Sequence, residues 1–398
     1  MRLELPKYAE RFGAVLLHDV QKVYELDGGY LPDEALSNPF HVIRHIEADK
    51  LHLIEKDLAI IIPTKNERLR LLEGVLSGLP HDCLPIVLSN SDTEAIDRFR
   101  LECQTVENFC CYAKKKYLIM HQRSEALAEL VKNGGYTKLL DEHGLVRNGK
   151  AEGMIAGIIL AQMMGKKYVG FVDADNYFPG SVFEYVRIFS AGLSQSSSSH
   201  AMVRIQWHSK PKIEGEGLFF AKWGRVSRIS NLLLNRLISQ YTGFETDVVK
   251  TGNAGEHAMS MELALQMDYS AGFSIETHHF VNLMERFGGV NVLPEDVPAM
   301  QQGVYLYQIE SRNPHLHDAK EDGHVEEMIH QSLSVIFHSP LCTEVLKSEI
   351  LGELRRLNIL KKHELPQAPV KYGSLQSFDF EKAARIWDPE KYGNTQLV

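Results

Sequence analysis

Asp173 and Asp175 stand two residues apart at the end of an apolar stretch, in the run KYVGFVDADNYFP from Lys167 to Pro179. Successive residues of a strand point to opposite faces, so the two carboxylates look the same way if the backbone stays extended through them. Paired hard oxygen donors at the carboxyl end of a buried strand suit a Mg²⁺ or Mn²⁺ ion that must also hold a diphosphate. Nucleotide-sugar transfer is the chemistry this pairing suggests. The same residues also suit an acidic loop in which Asp173 or Asp175 caps a helix starting near Pro179 and Gly180.

Four other segments carry groups of matching chemistry. Pro63-Thr64-Lys65-Asn66-Glu67 follows an apolar run and offers amides and side chains to a ribose and base, or forms a turn capped by Thr64 or Asn66. Arg147-Asn148-Gly149-Lys150-Ala151-Glu152-Gly153 sets two cations beside glycines before a helix, a sensible arrangement for phosphate, although it has neither P-loop nor dinucleotide-fingerprint spacing. Gly252-Asn253-Ala254-Gly255 is a glycine-bearing turn read as the entry to a helix that runs to about Gln266. Asn313-Pro314-His315-Leu316-His317-Asp318 presents two imidazoles two apart, one of which could complete a metal shell with Asp175.

Elements able to position these groups follow from hydrophobic patterning. Leu58 to Ile62, Leu84 to Leu88, Tyr117 to Met120 and Tyr168 to Val172 are short unbroken apolar runs, read as buried strands. Leu69 to Leu79, Thr93 to Phe109 and Ala151 to Gly165 read as the helices between them. Strands alternating with helices imply an α/β fold with a mainly parallel central sheet flanked by helices, and ligands gathered at the strand carboxyl ends. Beyond Ala201 the alternation loosens: Met202 to Trp207 and Gly217 to Ala221 read as strands and Ile229 to Tyr241 as a helix. From Gly323 onward Val325 to Phe337 and Thr343 to Leu360 read as helices, followed by a polar tail that braces the catalytic part or supports a dimer. The expected division is a catalytic region over 1–322, with a nucleotide-sugar half at about 58–200 and an acceptor half at about 201–322, and a helical C-terminal region over 323–398.

Composition limits the partners. With 398 residues the chain can bury a large core, and 52 acidic against 43 basic residues leave no general electrostatic footprint for nucleic acid and no polybasic membrane patch. Five cysteines without zinc spacing fit reduced thiols. The N-terminus MRLELPKYAERFG lacks a signal-peptide core and no stretch reaches the roughly 20 apolar residues of a membrane span, so a soluble cytoplasmic protein is expected.

In order and spacing, IIPTKNE (61–67), SNS (89–91), HQ (121–122), RNGKAEGM (147–154), GFVDADNY (170–177), KWGRVS (222–227), TGNAGEHAM (251–259) and NPHLH (313–317) resemble the mannosyl-3-phosphoglycerate synthases. The resemblance extends from about Phe12 to about residue 360. The sequence departs from the family pattern at Ala151 and Arg228, where Gly and Glu are expected, and fits it loosely from Gly28 to Glu47. It implies a retaining glycosyltransferase of the GT-A-like nucleotide-diphospho-sugar fold that moves mannose from GDP-mannose to 3-phosphoglycerate with Mg²⁺ or Mn²⁺, a first step toward the compatible solute mannosylglycerate. Carried over by position, Pro63, Thr64, Lys65, Asn66, Glu67, Ser89, Gln122 and Lys150 would serve the donor, with Asp173 on the ribose or sugar. Asp173, Asp175 and Lys150 would form the catalytic set. The metal would take Asp175 and His317, with His315 kept open. Gly224, Arg225, Val226 and Ser227 would clamp the acceptor phosphate, and Thr251, Gly252 and Asn253 would shape the acceptor or sugar pocket. The resemblance also admits a homodimer.

Two other readings use the same residues. A glucosyl-3-phosphoglycerate synthase would share the machinery, and a sugar-nucleotide pyrophosphorylase would need a glycine-rich signature near the first strand that Ile61 to Glu67 lacks. A non-catalytic nucleotide-binding or scaffold protein has no need of metal, phosphate and acceptor-type residues on one edge.

Overall fold

The computed structural model describes residues 1–26, 43–94, 96–176, 178–214, 217–290, 292–316, 322–388 and 394–396. Most of the loosely matching segment, residues 28–42, and the expected metal ligand His317 lie outside the described residues.

The apolar runs become strands because each is long enough to be buried on both faces. Along Leu58–Thr64, Leu58, Ile60 and Ile62 enter one hydrophobic core while Ala59 and Ile61 enter another, all of them inaccessible to solvent. Tyr117–His121 divides the same way, Tyr117 and Ile119 against Leu118 and Met120. At about 1.5–3 kcal/mol for each large aliphatic side chain removed from water, this two-sided burial is the main force holding the sheet.

Four parallel strands lie side by side in the order Tyr117–His121, Leu84–Ser89, Leu58–Thr64 and Tyr168–Phe171. Next comes His257–Ser260, antiparallel to both of its neighbours, Tyr168–Phe171 and Ala201–Gln206. Ala201–Gln206 therefore points the same way as the first four, and Val304–Glu310 continues parallel to it. N-terminal strands extend the far side, and Asn394–Gln396 adds an antiparallel strand beside Tyr117–His121. The sheet has 13 strands among the described residues, and the expected division near residue 200 falls inside it. The helix Lys150–Met163 lies on one face and Leu69–Gly78, Arg98–Ala113 and Pro179–Gln195 on the other. Gly157 lets the first of these sit close to the sheet, since a Cβ there would come within 2.7 Å of the Ile61 side chain.

Three expectations change in detail. The aspartate-bearing strand ends at Phe171, because the Asn176 side-chain amide donates to the Asp173 carbonyl at 2.8 Å and closes a turn over the next residues. The glycine turn at 252–255 leads into the strand His257–Ser260, and the helix Met261–Gln266 starts only after it; tertiary pairing on both sides overrides the helical reading. The helix expected from Ile229 begins at Arg225 with Gly224 as its N-cap and runs to Thr242.

The C-terminal region is built into this body. Asp322–Phe337 packs on Arg225–Thr242, and Glu344–Arg356 packs on both. Lys371–Tyr372 then pairs antiparallel with Tyr269–Ser270. Among the described residues no helix is long and apolar enough to cross a membrane, and all five cysteines are free thiols.

Candidate functional site

At the carboxyl ends of the parallel strands a cavity of about 940 Å³ opens between the sheet, the turn Ala271–Gly272–Phe273 and the helix Asp322–Phe337. Lys150, Asp173, Asp175, Pro63, Thr64, Lys65, Glu67, Gln122, Gly224, Arg225, Val226, Ser227, Asn253 and His315 all line it. Groups spread over 253 positions of sequence, from Pro63 to His315, thus face one space.

On the side formed by the first strands, Asn66 takes a left-handed backbone conformation (φ 56°) and is tied to the neighbouring loop. Its backbone N–H donates to Ser91 Oγ at 2.7 Å and its side-chain amide to Asp92 at 3.0 Å. Ser89 is wholly buried and donates to Glu102 at 2.6 Å, and Ser91 donates to the other Glu102 oxygen at the same distance. Asn66 and Ser89 therefore shape the loops behind Lys65 and Glu67 and do not themselves line the cavity. Gln122 donates to the carbonyls of Arg147 at 2.7 Å and Gly149 at 2.9 Å, which fixes the turn that presents Lys150.

Lys150, first residue of its helix, reaches between two acids. Its ammonium lies 2.7 Å from Asp173 and 2.9 Å from Glu276, whose side chain is 3% exposed. Burial pushes the Lys150 ammonium toward the neutral form, but the charges of Asp173 and Glu276 outweigh it and leave its pKa above the ordinary value. Glu276 is the functional-looking residue that sequence patterning missed. It stands in the first turn of the helix Ile275–Phe287, and one of its oxygens is buried without a hydrogen-bond partner.

Beneath Asp173 lies a second buried carboxyl group, Glu256. It accepts from Asn176 and from the Trp207 indole, each at 3.0 Å. Burial and then the charge of Asp173 raise its pKa above the usual carboxylate range. Trp207 stacks on His315 with ring centroids 4.4 Å apart, and the Lys210 ammonium sits over the same indole at 4.0 Å. His315 is nearly buried, with the Tyr185 hydroxyl 3.3 Å from its Nδ1.

Gly224 to Ser227 form the first turn of a long helix that has no side-chain cap. Such a turn leaves amide N–H groups and the positive end of the helix dipole for an anion. Asn253 faces the same space and accepts a hydrogen bond from Ser332 on the C-terminal helix at 3.1 Å. Thr251 and Gly252 stand behind it: the Thr251 hydroxyl donates to Gln308 at 2.8 Å, and the Gly252 amide donates to Asn231 at 2.7 Å. Neither lines the main cavity. His324, Glu327 and Gln331 complete the wall from the helix Asp322–Phe337.

Charge and geometry indicate what the space can accept. Asp173 and Glu276 share one ammonium and Asp175 lines the same cavity, an excess of negative charge at this edge that disfavours a bare diphosphate unless a cation accompanies it. No three acidic, histidine or cysteine side chains among the described residues form a ready-made metal cage. Asp175 and His315 together with phosphate oxygens and water would suit Mg²⁺ or Mn²⁺, which commonly bind through one or two protein groups plus the substrate.

The family model for mannosyl-3-phosphoglycerate synthase matches residues 5–386. The sequence is 46% identical over 366 residues to the mannosyl-3-phosphoglycerate synthase of Pyrococcus furiosus, covering 92% of each chain. It is 36% identical to the enzyme of that name from Aeropyrum pernix, again over 366 residues and 92% of each chain. Among solved structures, glucosyl-3-phosphoglycerate synthase from Mycobacterium tuberculosis, crystallised with Mn²⁺, uridine diphosphate and phosphoglyceric acid, is similar with a TM-score of 0.49 and 16% identity. That likeness covers 82% of this chain and 94% of the other.

Proposed function

The chain belongs to the mannosyl-3-phosphoglycerate synthase family, and on that premise we propose that it transfers mannose from GDP-mannose to 3-phosphoglycerate with retention of configuration. The observation that supports this reading most is the single cavity shared by Asp173, Asp175, Lys150 and the uncapped helix turn at Arg225. Donor diphosphate and acceptor phosphate need separate electrostatic sites within reach of one sugar, and the two edges differ in this way: the acidic one would take a diphosphate together with its cation, and the helix turn favours an anion directly.

In this reading Pro63, Thr64, Lys65, Glu67 and Gln122 line the guanosine end, and Asp173 with Lys150 meets the ribose and sugar. Asp175 with His317 or His315, of which only His315 lies among the described residues, would hold the divalent cation, which would supply positive charge to the diphosphate as the glycosidic bond breaks. Lys150, kept charged by Asp173 and Glu276, holds a fixed ammonium where the leaving group departs. The carboxylates of Asp173, Asp175 and Glu276 favour the positive charge that develops on the sugar. Arg225 and the amides at 225–227 grip the acceptor phosphate, which aims the acceptor hydroxyl at the anomeric carbon. The bond from that carbon to the phosphate oxygen breaks with its electron pair going to the phosphate. The new bond forms on the same face, and the hydroxyl proton passes to the departing phosphate oxygen.

Incubating the pure protein with GDP-mannose, Mg²⁺ and 3-phosphoglycerate should yield GDP and an α-linked phosphorylated mannoside by mass spectrometry and NMR. A donor panel with UDP-glucose and GDP-glucose tests the sugar and base assignments. Pyrophosphate release, or nucleotide binding with no transfer from any donor, would refute the proposal.

A further inference from the structure

A short piece of the C-terminal segment touches both the helix that carries Lys150 and the stretch that leads to its partner Glu276. Tyr372 is 1% exposed and lies outside the cavity, yet its hydroxyl donates to Glu152 in the cavity wall at 2.7 Å. Glu152 sits in the first turn of the helix that begins with Lys150 and is 3% exposed. Its carboxylate folds back under the turn, where only the absence of a side chain at Gly149 leaves room for its second oxygen. That oxygen has no hydrogen-bond partner, so the phenol of Tyr372 is a principal anchor of a buried carboxylate.

The same segment fixes the opposite wall. Lys371–Tyr372 pairs with Tyr269–Ser270, and the Ala271 N–H donates to the Val370 carbonyl at 3.0 Å. Ala271, Gly272 and Phe273 face the cavity and lead into the helix whose first turn carries Glu276. Burial raises the Glu152 pKa, and hydrogen bonding from Tyr372 and, more weakly, from the Gly272 backbone opposes that shift, which connects the two sides. From the other direction Gln331 accepts from the Phe273 N–H at 2.7 Å, which clamps that turn between the C-terminal helix and the segment. Further along, Phe378 occupies the space left by Gly134, and the Asp379 N–H donates to the Gly134 carbonyl at 2.9 Å. The segment is therefore anchored beyond Tyr372 as well.

We propose that residues 370–373 form a brace that sets the separation of Lys150 and Glu276 across the cavity, with Tyr372 as a positioning residue for sugar transfer acting through Glu152. This rests on the transferase reading above. An ammonium shared by two carboxylates on different elements, Asp173 in the turn after its strand and Glu276 on the helix Ile275–Phe287, is sensitive to their spacing, and an ångström of drift is felt in kcat before it is felt in substrate affinity. The hydroxyl matters more than the ring, because losing it leaves a buried carboxylate short of a donor.

Tyr372→Phe keeps the ring and removes only the hydroxyl. The expected result is a kcat about tenfold lower, with both KM values within about threefold of the parent. Amides at 150–153 and 271–274 should exchange hydrogen about tenfold faster, while those of the distant helix Pro179–Gln195 keep their protection. Glu152→Gln, which retains an acceptor for the phenol, should lose less activity than Tyr372→Phe, and combining the two should cost nothing beyond Tyr372→Phe alone. The proposal is overturned by a kcat within about twofold of the parent, by unchanged exchange at the two turns, by additive losses in the double variant, or by equally faster exchange in Pro179–Gln195. Failure of the parent protein to transfer mannose would refute the function, and the exchange comparison would still decide the brace.

Discussion

Asp175 is the residue on which the proposed chemistry most depends. It lines the cavity with Asp173, whose carboxylate is engaged by Lys150. Asp175→Ala should lower kcat by two to three decades, about 3–4 kcal/mol of barrier, with Tm and the circular dichroism spectrum unchanged. Near-normal turnover would remove Asp175 from the cation site. The acidic pair itself was legible from residue type and spacing, because two carboxylates after an apolar strand are a local signal. Their geometry was not: a turn closed by Asn176 brings both into the cavity, where extended alternation had been expected. Glu276 was hidden for a different reason. Its partner Lys150 is 126 residues away, and nothing in the local pattern of an acidic first turn separates a clamp from ordinary helix-end electrostatics.

At the level of elements, the helix Arg225–Thr242 carries the acceptor argument. Its first turn supplies both a guanidinium and the positive end of the helix dipole, with no side-chain cap, so loss of the side chain removes one of two sources of attraction. Arg225→Ala should raise KM for 3-phosphoglycerate about ten- to a hundredfold while KM for GDP-mannose stays close to the parent value. Equal effects on both substrates would count against the assignment. Sequence patterning placed the body of this helix but began it four residues late, because Arg225 to Arg228 has a single apolar residue, Val226, and shows no stripe. The parallel strands were found close to their observed limits, since an unbroken apolar run of that length has few alternatives in an α/β chain. His257–Ser260 was read as helix entry because four residues are too few to show a period. Only its neighbours on either side make it a strand.

For the molecule as a whole, the buried histidines set the response to acid. Burial lowers His18 to about 4, and lowers His257 and His278 to about 3. A histidine held neutral in the folded state stabilises the fold fully above its unfolded value of roughly 6.5, and that contribution is lost as pH falls from there toward the folded value. His278 isolates the effect, being completely buried with neither ring nitrogen hydrogen-bonded. Relative to the parent, His278→Leu should gain about 2 kcal/mol of stability between pH 7 and pH 5, measured by urea unfolding at the two values. A constant difference would show that His278 does not titrate in this window.

The antiparallel strand at the middle of the sheet also restricts how substrates can come and go. Because His257–Ser260 is hydrogen-bonded to Tyr168–Phe171 on one side and Ala201–Gln206 on the other, the regions before and after residue 200 are one continuous slab. A clamshell movement between them would have to tear backbone pairing apart at its seam. Admission of the proposed donor and escape of its nucleotide therefore fall to the rim, where the helix Asp322–Phe337 borders the opening without being a strand of that slab.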